Sequence, residues 1–167
     1  MDYNTLQNFY SDWAFESDIM AKYFDQLTDE SLMQKVSPDG RNLGFIAWHC
    51  VTTINEMMSQ TGIKVNCPEV GSEPSSSANE ILSAFNVASE SLIEQLKLNW
   101  TDDSLQQEDN MYGENWKRGK TLNVLIAHQT HHRGQMSVLM RQAGLKVPGS
   151  YGPSKEEWIE MGMNPMR

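Results

Sequence analysis

The sequence predicts an all-α fold: four long helices in one domain spanning residues 1–167, with a short fifth helix near the C-terminal end. Three observations carry that prediction. Four stretches place apolar side chains at intervals of three and four residues, the spacing that lines one face of a helix. Two further patterns, Ser77-Ala78-Asn79-Glu80 and Ser154-Lys155-Glu156-Glu157, set a glutamate three residues after a serine, as the capping box at a helix start does. Between the second and third periodic stretches lies a Pro-, Gly- and Ser-rich connection of about fifteen residues.

The first helix covers Asp2 to Leu27, where Leu6, Phe9, Tyr10, Trp13, Met20, Tyr23, Phe24 and Leu27 keep the helical spacing and Glu16 and Ser17 interrupt it. Residues 28–40 hold a short helical turn at most. They end in Ser37-Pro38-Asp39-Gly40, in which proline presets φ and glycine is free to make it positive. The second helix runs from Asn42 to Gln60, with Leu43, Ala47, Cys50, Ile54 and Met58 facing the core and Gly62 as its stop. The connection 61–76 follows. At roughly 3.3 Å per residue it reaches about 50 Å, whereas the helix before it is about 27 Å long. The chain can therefore return along the whole bundle and start the third helix parallel to the second, which no short hairpin loop allows.

Ile81, Phe85, Ala88, Leu92 and Leu96 define the third helix, from Ser77 to about Leu98. Residues 99–119 keep no period and read as a long loop with room for a short helix. Loops of that length in a compact domain are often functional. The fourth helix runs from Lys120 to Gln142 and stops at Gly144, and Leu125, His128, His132, Met136, Leu139 and Ala143 form its inward stripe. A Pro/Gly segment then leads into the fifth, which continues to about Met161.

Charge narrows the partners. Thirteen basic against twenty-two acidic residues give a formal net charge of −9, which opposes a nucleic-acid backbone or an anionic bilayer. No uncharged apolar run is long enough to span a membrane, and the N-terminal residues lack the basic start and apolar run of an export signal. Cys50 and Cys67 make no disulfide framework in a chain of this length and read as reduced thiols of a cytoplasmic protein.

The chemistry lies in four histidines, His49, His128, His131 and His132. On a helix His128 and His132 stand one turn apart on one stripe, so both can offer nitrogens to one ion. Burying two imidazoles there is costly unless something accepts their lone pairs, and a divalent metal does so. His49, at the border of the second helix's apolar face, supplies the third candidate ligand. His131 projects to the other side of His128 and is left out of the set. Glu56 shares the column of His49 and is a candidate base or a hydrogen-bond partner for a ligand imidazole. Salt bridges to neighbouring acidic helices account for Arg133 and Arg141.

The run His128-Gln-Thr-His131-His132-Arg133-Gly134-Gln135, the MRQAG and VPGSYGPSKEEW that follow it, and LGFIAWHC in the second helix together resemble the DinB-like superfamily. The resemblance extends over the whole chain. It implies a four-helix bundle in up-down-down-up order with a long crossover between the second and third helices, and a metal site on His49, His128 and His132. It also implies frequent homodimers. Characterised relatives include thiol-dependent transferases and isomerases that use mycothiol or bacillithiol.

Three neutral imidazoles leave a divalent ion its full charge and at least one open position, the arrangement of a catalytic site. Zn or Ni stands ahead of Co, Fe and Mn as the ion. Two functions remain open. One is a metal-dependent S-transferase or hydrolase acting on a small molecule, with a low-molecular-weight thiol as cofactor in the transfer version and substrate entering near Tyr112 and Trp116. The other is a non-catalytic metal-binding stress-response or interaction module.

Overall fold

A helix leaves its first backbone N–H groups unpaired, and short polar side chains mark where every α-helix of this chain but the fourth begins. The computed structural model describes residues 2–165; residues 1, 166 and 167 of the predicted domain lie outside the described residues. Thr5 accepts from the Asn8 N–H at 3.3 Å at the start of α1 (Leu6–Asp25). Asn42 accepts from the Phe45 N–H at 2.8 Å at the start of α2 (Leu43–Ser59). Ser77 does the same for Glu80 before α3 (Ala78–Asn99). Glu80 does not reach back to the Ser77 N–H directly. Ser75 stands between them, its hydroxyl accepting from the Ser77 N–H at 3.0 Å and donating to Glu80 Oε2 at 2.6 Å. The capping box predicted at Ser154 is complete, with Glu157 accepting from the Ser154 N–H at 2.8 Å, and it opens α5 (Lys155–Glu160).

Cross-links between the helices fix their directions. Tyr3 donates its N–H to the Gly119 carbonyl and Arg133 pairs with Glu16, so α1 runs parallel to α4 (Arg118–Gln142). On the other side of α1, Leu6 pairs with Asp102, Trp13 with Ser89 and Phe24 with Phe85, a descending order that makes α3 antiparallel to it. Gln34, just ahead of α2, reaches Gln142 at the end of α4, while the Arg118 guanidinium at its start reaches the Thr61 carbonyl beyond α2. Therefore α2 opposes α4. The bundle is up-down-down-up as expected, with α1 and α2 at opposite corners and each packed on both α3 and α4. The connection 61–76 makes the crossover.

The predicted core stripes of α1, α2 and α3 are buried, Tyr10 excepted, which is only partly covered. Glu16 does not interrupt the stripe on α1. It is buried on it, because Arg133 donates to its Oε2 at 2.6 Å and the Tyr151 hydroxyl donates to its Oε1 at 2.7 Å. Burial of both charges is tolerable because each is paired and hydrogen-bonded. Arg141 likewise pairs with Glu156 on α5, as the salt-bridge reading expected. That guanidinium holds the Glu156 carboxyl well below its ordinary value, at about 2.

Two details differ from the sequence reading. Residues 99–119 contain a 3-10 turn at Asp102–Gln106 and a small antiparallel hairpin, β1 (Glu108–Met111) and β2 (Glu114–Lys117). Tyr112 and Gly113 turn it with φ of 56° and 88°, the positive values that two-residue hairpin turns require. Second, α4 begins at Arg118 rather than Lys120. Its Gly119 lies so close to Tyr3 that a Cβ there would sit 2.2 Å from the Tyr3 carbonyl oxygen.

Removing one member of a buried ion pair strands the other. Glu16→Ala is therefore expected to destabilise the protein by about 3–5 kcal/mol, and Glu16→Leu combined with Arg133→Met to recover most of that loss. Urea unfolding of the three proteins checks both expectations.

Candidate metal centre

The antiparallel contact of α2 and α4 sets which residues can meet. Gln129, buried on α4, donates to the Cys50 carbonyl on α2 at 2.8 Å, and this bond fixes the register one residue from both His49 and His128. The core line of α4 runs through Leu125, Gln129, Met136 and Leu139, with His132 also buried, while His128 and Ala143 are only partly covered. Gln129 went unnoticed in the sequence, where an amide among histidines reads as solvent-facing.

Nε2 of His128 lies 3.2 Å from Nε2 of His49 and 3.1 Å from Nε2 of His132. One nitrogen from each of the three rings falls within 4.8 Å of the others. The ring planes cross at 67°, 71° and 85°, so the rings converge edge-on instead of stacking. Ligand bonds of roughly 2.0–2.1 Å put neighbouring donor nitrogens ~3.3 Å apart in a tetrahedron and ~2.9 Å apart on an octahedral face. The spacings at His128 lie between these values.

The outer nitrogens decide which tautomers are present. Thr53 donates its only hydroxyl hydrogen to the His49 carbonyl at 2.6 Å, so toward His49 Nδ1, at 3.3 Å, it can only accept. Gln135 Oε1 lies 2.7 Å from His132 Nδ1 and accepts from it. Both imidazoles therefore carry their proton outward and aim bare lone pairs inward. His128 Nε2 faces both of them and holds at most one proton, while its own Nδ1 is buried with no partner among the described residues. Protons alone leave this group under-satisfied. A divalent cation accepts all three inward lone pairs, so the donor set fits a metal ion.

Electrostatics favour the ligand form of each ring. Burial lowers the pKa of all three, and the neighbouring imidazoles lower His128 further, to about 4. Glu56 opposes the shift at His49, and Arg41 adds to it at His49 and His132. All three rings are neutral at neutral pH, as metal ligands must be.

His131 is exposed and stays outside the cluster, its ring 4.9 Å from that of His132. Glu56 lines a cavity of about 230 Å³ together with His49, Phe45 and Trp48. The Tyr112 hydroxyl, at the tip of the hairpin, donates to Glu56 Oε1 at 3.1 Å. Segment 99–119 thus bends back to the residue beside His49. No spacing in the sequence links positions 56 and 112. Both cysteines are free, and burial pushes the Cys50 thiol up to about 12.

Fold and site define a class: a four-helix bundle whose second and fourth helices bring three neutral imidazoles together in a cluster that could hold a metal ion. Known proteins narrow the class. The DinB family model matches residues 1–163, and the chain belongs to that family. It is 44% identical over 161 residues to the uncharacterized protein YrdA of Bacillus subtilis strain 168, covering 96% of each chain. A solved DinB-like protein of Bacillus cereus ATCC 10987 is 40% identical with a TM-score of 0.87, the match covering 89% of this chain and 99% of that one. The DinB-like YjoA of Bacillus subtilis shares the fold, at 15% identity and a TM-score of 0.67 over 86% of this chain and 97% of its own.

Gln135→Leu removes the acceptor that orients His132 and is expected to weaken metal affinity about tenfold, measured by competition with a chromogenic chelator. In the metal-free protein the depressed histidine values make stability fall with pH. Below the ordinary imidazole value of 6.5 the unfolded chain takes up protons that His128 refuses until about 4. The urea midpoint should therefore drop between neutral pH and about pH 5, and His128→Gln should flatten the slope.

Proposed function

We propose that this protein is a metal-dependent enzyme acting on a small molecule, an S-transferase or hydrolase, with His49, His128 and His132 as the ligands. The observation that carries the reading is the convergence of three imidazoles, with His128 Nε2 3.2 Å from that of His49 and 3.1 Å from that of His132. A divalent ion held there supplies Lewis acidity and the capacity to ionise a water or a thiol near neutral pH. Zn and Ni suit an all-imidazole set best.

The chain's own groups supply the rest. Thr53 and Gln135 hold two imidazoles in the tautomer that presents Nε2 inward. Glu56 carries out proton transfer from its place in the cavity wall beside His49, with the Tyr112 hydroxyl fixing one carboxylate oxygen and leaving the other free to accept. Trp48, whose indole N–H donates to Ser72 at 3.0 Å, ties the crossover segment to α2 and closes one side of that cavity. A low-molecular-weight thiol serves as co-substrate in the transfer version.

Elemental analysis of protein purified without added metal tests the ligand set. Near-stoichiometric metal is expected in the wild type, and none in His132→Ala with helical circular dichroism retained. A panel of thiols and electrophiles then tests the enzyme. Turnover should vanish with a chelator while the fold survives, and Glu56→Gln should lower it about a hundredfold without changing metal content. Collapse of the bundle on metal removal would instead assign the ion a structural role.

A further inference from the structure

Arg41 precedes α2, and its guanidinium makes neither a hydrogen bond nor an ion pair with any of the described residues. Its guanidinium lies over the Phe45 ring, 4.9 Å from the centroid. The Phe45 ring in turn stacks on His49, with centroids 6.3 Å apart and planes 20° from parallel. Cation, apolar ring and ligand imidazole thus form one row. The two spans together place the guanidinium carbon at most about 11 Å from the His49 ring centroid.

The row borders a hollow formed by two adjoining cavities. One of about 230 Å³ at His49 and one of about 480 Å³ lined by Arg41 share Phe45 and Pro74 as walls. Together they have the size of a small-ligand site. The larger cavity also holds Lys35, Asp29 and Glu73. Lys35 donates to the Pro38 carbonyl, and Asp29 accepts from the Ala78 N–H at 2.8 Å. Arg41 is left with its donors uncommitted, in a chain whose net charge is −9. An exposed phenylalanine in contact with a guanidinium and stacked on an imidazole is the pattern for a ligand with an anionic head and a short apolar stem.

We propose that this hollow takes a small organic acid, Arg41 binding its carboxylate and Phe45 guiding its stem toward His49. Arg41 is then a positioning and specificity residue. It engages the carboxylate with two parallel N–H donors and does not touch the reacting atoms. The inference rests on the reading of His49, His128 and His132 as a metal site with an open position.

The full-length protein loaded with cobalt(II) tests it through its visible spectrum. Mercaptopropionate and its neutral amide present the same thiol to the ion and differ only at the far end. The wild type should bind the acid about tenfold more tightly than the amide. Arg41→Met, which keeps an aliphatic stem over Phe45, should reduce that preference to near parity and leave amide affinity unchanged. Arg41→Lys should keep part of it. Equal affinity for the two probes in the wild type, or an undiminished preference in Arg41→Met, overturns the role of Arg41 while leaving the open site standing. If neither probe changes the spectrum of cobalt-loaded protein, the open position itself is refuted and the inference falls with it.

Discussion

The structure depends on one contact, the antiparallel packing of α2 against α4. His49 comes from one helix and His128 and His132 from the other, and their nitrogens approach to little more than 3 Å. A shift of either helix by one residue would rotate a ring by about 100° and dissolve the cluster. Several ties resist that shift along the pair, among them Gln129 to the Cys50 carbonyl beside the histidines and Arg118 to the Thr61 carbonyl at the far end. The buried Glu16 and Arg133, both hydrogen-bonded to the Tyr151 hydroxyl, hold the other flank of α4 to α1, one residue from His132. Packing of this kind lets side chains converge without a loop to support them.

Most of the bundle was legible because its helices bury apolar stripes at a period that needs no tertiary information. The crossover was legible by length, since a connection that can outreach a helix permits parallel neighbours. The three histidines were legible in part. The spacing of His128 and His132 follows from helix geometry, whereas the third ring, 79 residues from His128 in sequence, was a candidate by its place on a second amphipathic helix and no spacing ties it to the pair.

What stayed hidden shares a physical reason. Glu16 looked like a break in a stripe because a carboxylate is buried only when its counter-ion is present, and Arg133 lies 117 residues away. The hairpin went unseen because its strands are four residues each and mostly polar, held by backbone bonds and a primed turn rather than by an alternating pattern. Gln129 and Gln135, which set register and tautomer, are invisible without knowing which carbonyl or ring nitrogen each faces.

The crossover also sets an order of events. Because α2 and α4 are separated by the whole of α3 and the hairpin, a growing chain exposes His49 long before its partners are made, and a lone imidazole holds an ion only weakly. The site comes into being when α4 docks, in the same event that buries Arg133. An ion could therefore be held by all three rings only once the bundle has closed.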